Sequence, residues 1–546
     1  MIKSVLILLV GLMVFSSLSH GQTGSYEWAL PIGGPGFDEG HSVAVDGAGN
    51  AYYTGVFLDT VDFDPGTGVQ KLISDGQQDI FISKLDSDGF LIWAKRIGSI
   101  GRDGGYSIAI DHLNNVYTTG IYSGPVDFNP DTGAFILPLF GGSVYISKLN
   151  ENGQFVWAKQ LGGDHGNSLV LDASGNVFST GYFVGTGDFD PDTSTYNLTS
   201  AGTGDIFISK LNENGHFVWA KQMGGILSDE GLSIELDDAG NVYTTGYFFG
   251  TSDFDPDTGT FNLISQGAED IFISKLDTNG SFVWAKRIGG TLPDGGNSIT
   301  ADATGNVYLT GYFHGTVDFD PGPGTFNLTS EGVLERDMFI CKLDANGQFL
   351  WAKQKSTTGW DEGSVIRCYD SGDIYVLGAH KGVLIAKIDV DGNFIWEQYF
   401  ESVYGIWGNS IDVDGSGNIY STGTFQTMAD FDPGASTFNL STDGSFDIFI
   451  HKMDGIAVQI SENKYSPEYI AWPNPTNGVL NIDLGKSYRT ATILVKDITG
   501  HHVSSNTFAS SQFVKIDLAC GSGIYLVEIF IEEQLSTILK VIKNNN

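Results

Sequence analysis

Leu232-Ser233-Ile234-Glu235-Leu236-Asp237-Asp238-Ala239-Gly240-Asn241-Val242-Tyr243-Thr244-Thr245-Gly246-Tyr247-Phe248 decides the fold. Residues 232–236 alternate apolar and polar, 237–241 are turn formers, and 242–248 is a β-branched and aromatic run, so the stretch reads as two strands joined by a tight turn. A longer segment from Gly250 to Glu269 follows. Asp270-Ile271-Phe272-Ile273-Ser274-Lys275-Leu276 then reads as a third strand, Asp277-Thr278-Asn279-Gly280 as a hairpin turn and Phe282-Val283-Trp284-Ala285-Lys286 as a fourth strand. No stretch of similar length carries a helical period.

Outward from this unit the pattern recurs. Trp28, Trp93, Trp157, Trp219, Trp284, Trp351 and Trp396 mark the fourth strands, at spacings of 65, 64, 62, 65, 67 and 45 residues. Four antiparallel strands per repeat, set around a ring, predict an all-β chain built on a seven-bladed β-propeller. The unit is long because of the insertion between its second and third strands. The sixth unit, 363–398, lacks that insertion, which accounts for the short spacing. The seventh supplies three strands, ending at Asp447-Ile448-Phe449-Ile450-His451-Lys452, and Tyr26-Glu27-Trp28-Ala29-Leu30 is an orphan fourth strand. Placed together they complete seven blades and close the ring, which removes open sheet edges.

The 65 Asp and Glu outnumber the 28 Lys and Arg, a net charge of -37. That argues against nucleic acid or anionic headgroups as partners, which need clustered cations, and is compatible with binding divalent cations. Residues 1–21 read as a secretory signal: Lys3, an apolar run from Val5 to Phe15, and Ser19-His20-Gly21 before Gln22. No later run approaches the roughly 20 apolar residues of a membrane helix. Three cysteines, Cys341, Cys368 and Cys520, are too few for a disulfide framework. Cys341 stands where other repeats have Ser and reads as a small buried residue.

The propeller is expected over residues 22–458, a polar linker over 459–468 and a second domain over 469–546, with the short strands of a small antiparallel, Ig-like sandwich. Gly-Asn-Val-Tyr-Thr-Thr-Gly at 240–246, Ile-Ser-Lys-Leu-Asp at 273–277 and their copies resemble the bacterial SBBP β-propeller repeats over roughly residues 26–454. That resemblance implies fold, not activity. In the second domain, Trp472-Pro473-Asn474-Pro475-Thr476-Asn477-Gly478, Asp497-Ile498-Thr499-Gly500, Gly523-Ile524-Tyr525-Leu526-Val527 and Lys540-Val541-Ile542-Lys543 resemble the type A sorting domain of the Bacteroidota type IX secretion system. The sorting motif residues are Pro473, Asn474, Pro475, Gly500, Gly523, Tyr525 and Lys540. Lys496-Asp497 departs from the commoner Tyr-Asp or Phe-Asp pair. The resemblance implies recognition by the outer-membrane machinery, then release or attachment at the cell surface.

In a meander the tight turns share one face, and the insertions and inter-blade loops share the other, where binding residues usually lie. Three groups there are candidates. The first is the acidic insertion: Asp127, Asn129, Asp131; Asp188, Asp190, Asp192; Asp253, Asp255, Asp257; with shorter copies Asp62-Phe63-Asp64, Asp318-Phe319-Asp320 and Asp430-Phe431-Asp432. Alternating carboxylates suit calcium, Ca2+, and equally suit Asp-Pro turns in which carboxylates bond backbone N–H groups. The second is Asp38, Asp103, Asp164, Asp229, Asp294 and Asp361, expected either to ring the channel or to fix the inter-blade turns; the seventh copy is Ile406. The third is Trp360, Trp407 and Tyr404, flanking the sixth blade as a notch for a sugar ring or an aromatic side chain. The repeated Trp reads as blade packing, the ten His show no metal spacing, and the Asn-Leu-Thr/Ser sequons at 197, 327 and 439 mark a short strand. No catalytic constellation stands out. The reading is an exported, non-catalytic binding or adhesion module for a glycan or protein; the rivals are a polysaccharide lyase or hydrolase using carboxylates of this face, and a structural scaffold.

Overall fold

The computed structural model describes residues 25–455, except 139–141, 333–334, 358, 370–371, 381, 403 and 435, and residues 470–543, except 473–475, 477, 498–501, 519–522 and 532–533. The expected signal (1–21) and linker (459–468) lie outside them. The chain divides into two units, each described by itself.

The larger unit consists of seven antiparallel four-stranded meanders. The quoted stretch forms Glu230–Leu236 and Val242–Phe248, continued by Asp270–Leu276 and Phe282–Ile288. The innermost strands are Glu39–Val45, Gly104–Ile110, His165–Leu171, Glu230–Leu236, Gly295–Ala301, Glu362–Cys368 and Ile406–Val413. Each touches the next, and the seventh touches the first, so the ring is closed. Ser25–Ile32 pairs with Asp447–Asp454 from Ser25↔Asp454 to Ile32↔Ile448 and is the outer strand of the seventh blade.

A chain of serines laces the inner strands. The N–H groups of Ile108, Leu169, Ile234, Ile299, Ile366 and Val43 donate to Ser42, Ser107, Ser168, Ser233, Ser298 and Ser410 of the preceding blade, at 3.3, 3.2, 3.4, 3.3, 3.2 and 3.2 Å. The last of these crosses the joint between blades seven and one. Val365 holds the seventh serine position. At the rim, Trp28, Trp93, Trp157, Trp284 and Trp351 donate from Nε1 to a turn carbonyl of the following blade. The repeated Trp is therefore a joint between blades. Cys341 is fully buried.

Where present, the insertion folds as a two-strand hairpin, for example Thr186–Asp188 with Asn197–Thr199. The three sequons open such strands at Asn197–Thr199, Asn327–Thr329 and Asn439–Ser441. In the sixth blade Ile374–Ala379 turns directly into Val383–Ile388.

The smaller unit is one continuous antiparallel sheet. Its long strands Val479–Asp497 and His502–Asp517 pair along their length, with a register break between Asp483 and Tyr488. The first half of Val479–Asp497 pairs with Ile470–Trp472 and the second half with Gly523–Ile531, beyond which lies Gln534–Lys543. Both halves feed one core, including Leu480, Ile482, Ile493, Val527 and Val541. Tyr525 is buried in it, Gly523 opens a strand, and Lys540 pairs with Leu526 in the outermost ladder. Pro473, Asn474, Pro475 and Gly500 lie outside the described residues.

Candidate functional site

The acidic insertions fold around their own backbone. Asp188 Oδ1 accepts from the N–H groups of Asp190 and Tyr196 (3.1 and 2.8 Å), and Asp190 Oδ1 from Asp192 (3.0 Å). Asp127 and Asn129 repeat this with Asn129, Phe135 and Asp131, and Asp253 and Asp255 with Asp255, Phe261 and Asp257. The intervening Phe128, Phe189 and Phe254 are fully buried. The third carboxylate pairs with the Lys of the preceding blade's Trp-Ala-Lys: Asp131 with Lys95 at 2.7 Å, Asp192 with Lys159 at 2.9 Å and Asp257 with Lys221 at 2.7 Å. Units one and seven lack a third Asp, and the matching positions before them are Leu30 and Gln398; unit five, with Gly322, breaks the rule despite Lys286. Among the described residues no three carboxylate, imidazole or thiol groups converge on a metal-sized point. The Oδ1 atoms of these loops accept backbone N–H groups and the third carboxylates pair with lysines, which is the arrangement of the Asp-Pro turn alternative.

The Asp ring is likewise spent on structure. Asp38, Asp103, Asp229, Asp294 and Asp361 are fully buried. Asp38 accepts from Gly34 and Leu58 (2.8 and 2.9 Å), Asp229 from Gly225 and Phe249 (2.7 and 3.0 Å), and Asp294 from Gly290 and His314 (2.7 and 2.9 Å). Each ties the inter-blade loop to the end of the second strand instead of lining a channel. Asp164 is exposed and keeps only the bond from Val184, at 2.6 Å, because its inter-blade loop is shorter.

A second carboxylate row lies beside the first and was not among the sequence candidates. Asp79, Asp205, Asp270 and Asp447 open third strands and Asp337 is the second residue of one; all are buried, and each has one oxygen without a hydrogen-bond partner. Burial is the main cause that pushes Asp38 and Asp294 up to about 7 and Asp79, Asp229 and Asp447 up to about 6. The legible signal was the Asp before Ile-Phe-Ile, repeated with the same period.

The residues that break the symmetry gather where the inner strands begin. Glu39, Glu230 and Glu362 stand in blades one, four and six; the matching residues elsewhere are Gly104, His165, Gly295 and Trp407. Each Glu accepts at Oε1 from an Asn Nδ2 of the preceding blade: Asn409 at 2.9 Å, Asn167 at 2.8 Å and Asn297 at 2.8 Å. Each turns Oε2 toward a group lying against an aromatic ring. Glu39 faces His41 (3.4 Å), which stacks on Tyr106; Glu230 accepts from Tyr247 (2.5 Å), which meets Phe249 edge-on; Glu362 pairs with Arg336, which lies over Tyr312 and Trp360 at 4.9 and 5.0 Å. His165 adds a further stack, with ring centroids 4.6 Å from Tyr106 and 5.7 Å from Tyr182. The co-occurrence of Asn in one repeat with Glu in the next was the available sequence signal.

Trp360, Tyr404 and Trp407 lie on this face and are 69%, 63% and 43% exposed. Trp360 leans on Arg336 of the fifth blade and Trp407 on Phe446 of the seventh, at 5.8 Å, and no ring contact joins the two tryptophans among the described residues.

Residues 470–544 match the family described as a secretion system C-terminal sorting domain, and residues 283–315 the family described as a beta-propeller repeat. An uncharacterized WD repeat-containing protein of Acanthamoeba polyphaga mimivirus is 24% identical over 495 residues, covering 64% of this chain and 36% of that protein. Regulatory protein FlaEY of Caulobacter vibrioides is 23% identical over 208 residues, covering 38% and 20%. The chain thus spans well under half the length of these relatives. Among solved structures, BamB from Moraxella catarrhalis is similar at 13% identity and a TM-score of 0.33, covering 79% of this chain and 100% of that one. A Bacteroides caccae protein of unknown function is similar at 12% identity and a TM-score of 0.26, covering 66% and 98%. No helix among the described residues is long and apolar enough to cross a membrane. With its repeated four-stranded blades and the sorting domain at residues 470–544, the chain is a β-propeller repeat protein exported through the type IX secretion system to the cell surface or the extracellular space.

Proposed function

We propose that the exported ring is a non-catalytic binding module, with its ligand at the mouth of the ring on the long-loop face. One observation carries this. The repeated carboxylates of the insertions and inter-blade loops bond backbone N–H groups and lysines, and those of the third strands are buried, whereas the residues that differ from blade to blade collect at the mouth. Trp360, Tyr404 and Trp407 leave large apolar surfaces in water there, which favours recognition by stacking. The type IX machinery is the other partner, through residues 470–544.

The test is capture without turnover. Beads bearing the full chain are offered extracellular polysaccharides and matrix proteins, and the supernatant is assayed for reducing ends and unsaturated uronates. The expected result is retention of at least one polymer with no product release. Release of either product would move the reading to a hydrolase or a lyase, and retention of nothing would overturn it.

A further inference from the structure

We infer that the Trp360 corner of the mouth is a subsite for an uncharged glycan, taking one pyranose ring on the open face of the indole. The inference rests on the binding reading above and names its ligand class. Its basis is a chain of support running inward from the exposed ring. The Arg336 guanidinium lies over Trp360 at 5.0 Å and over Tyr312 at 4.9 Å. Glu362 holds that guanidinium, and Asn297 holds Glu362 through a 2.8 Å bond to Oε1 and a 3.0 Å bond to the Gly363 carbonyl. Two adjacent blades, the fifth and the sixth, thus fix one indole, which is nevertheless 69% exposed. A large ring held in place and left in water has already met the ordering cost of a contact.

Charge selects among ligands that could stack there. Arg336 already occupies the field of the indole, so a second cation on the open face would meet a ring whose negative quadrupole is engaged and a fixed positive charge behind it. A polyanion would approach a chain of net charge -37. Arg336 and Glu362 neutralise each other, so the support beneath the exposed indole carries no net charge. The C–H face and equatorial hydroxyls of a neutral sugar match that combination. A folded protein partner needs about 800 Å² per side, whereas Trp360 and Trp407 are separate anchors leaning on different blades.

Affinity electrophoresis of the full chain through gels holding laminarin, mannan, xylan or soluble starch, with alginate as the anionic control, tests the inference. We expect retardation in at least one neutral gel and none in alginate. Trp360→Ala should weaken that retardation about tenfold or more, as loss of an anchor residue does; Trp360→Tyr should restore most of it. Phe90→Ala, at an exposed residue of the opposite face, should change nothing. Melting curves confirm that all variants fold. Neutral-gel retardation unchanged by Trp360→Ala refutes the subsite while leaving the binding module intact. No retardation in any neutral gel, with polymer or protein still captured on beads, refutes the glycan class alone.

Discussion

The closure of the ring is the most testable consequence of the structure, and Ile32 is the residue to perturb. Ile32 and Ile97 occupy equivalent positions on fourth strands, and both are 1% exposed. Ile97 packs in the core shared by blades one and two. Ile32 packs with Val43, Tyr53 and Phe81 of blade one and with Ile448 and Ile450 of blade seven, and so sits in the joint that closes the ring. Truncating a fully buried Ile to Ala removes its transfer energy and leaves a cavity, a loss of about 2–5 kcal/mol. If Ser25–Ile32 is integral to the seventh blade, Ile32→Ala and Ile97→Ala must lose comparable amounts within that range. The measurement is urea unfolding of the full chain followed by tryptophan fluorescence and circular dichroism, with both variants extrapolated at a common slope. A fraying strand would leave Ile32 solvated in much of the folded ensemble. A loss under about 0.5 kcal/mol for Ile32→Ala, beside a full loss for Ile97→Ala, would refute closure by this strand. A biphasic transition confined to Ile32→Ala would refute it equally, because it would show the seventh blade unfolding apart from its neighbours.

Burial holds Asp38, Asp294, Asp79, Asp229 and Asp447 above the ordinary 3.8, so between about pH 4 and 7 the folded ring keeps protons that the unfolded chain has released. Stability from these groups is therefore greatest at the acid end of that window and declines as pH rises through it. The urea midpoint should fall from pH 5 to pH 8, and Asp447→Asn, which cannot titrate, should flatten the decline. Calcium should leave the melting temperature where EDTA leaves it, and Lys159→Met, which breaks the half-exposed pair with Asp192, should cost under about 1 kcal/mol in urea melts. Ser298→Ala removes the acceptor of the Ile366 N–H at the buried joint between blades five and six and should cost about 1–3 kcal/mol by the same measurement.

The strands, the seven blades, the missing insertion of the sixth and the orphan strand of Ser25–Ile32 were legible because they are written in period. Alternation with period 2 fixes the strand, and recurrence of the tryptophans near 65 residues fixes the blade. The use of each Asp was not legible, because a carboxylate in sequence does not reveal what it accepts. Asp192 resembles a calcium ligand until Lys159, 33 residues earlier, is brought against it across a blade joint. Asp38 resembles a channel residue until the Gly34 and Leu58 N–H groups are seen to claim both its oxygens. For the sixth-blade notch, position along the chain set Trp360 and Trp407 on either side of the blade but could not show that one lies under Arg336 and the other beside Phe446.

A repeat chain also holds its own internal comparison, and that comparison separates packing from recognition. A residue that recurs in nearly every blade serves the blade: the repeated Trp, which in five blades bonds the next turn carbonyl, and the Ser that laces the inner strands at six of seven positions are of this kind. Residues that change together across a joint record a contact. Asn167, Asn297 and Asn409 occur where the following blade carries Glu230, Glu362 or Glu39, and His41, Tyr106, Leu232 or Ser364 occurs where it does not. The third class changes alone and has no compensating partner in the next blade. Trp360, Tyr404, Ile100 and Ile226 belong to it, each large, apolar and exposed in an inter-blade loop of the same face. Exposed apolar residues gathered on one face mark an interaction surface in a way that the same residues scattered singly do not. On the proposed binding reading, a ligand would be sought among that class at the mouth, and not along the more regular acidic rows.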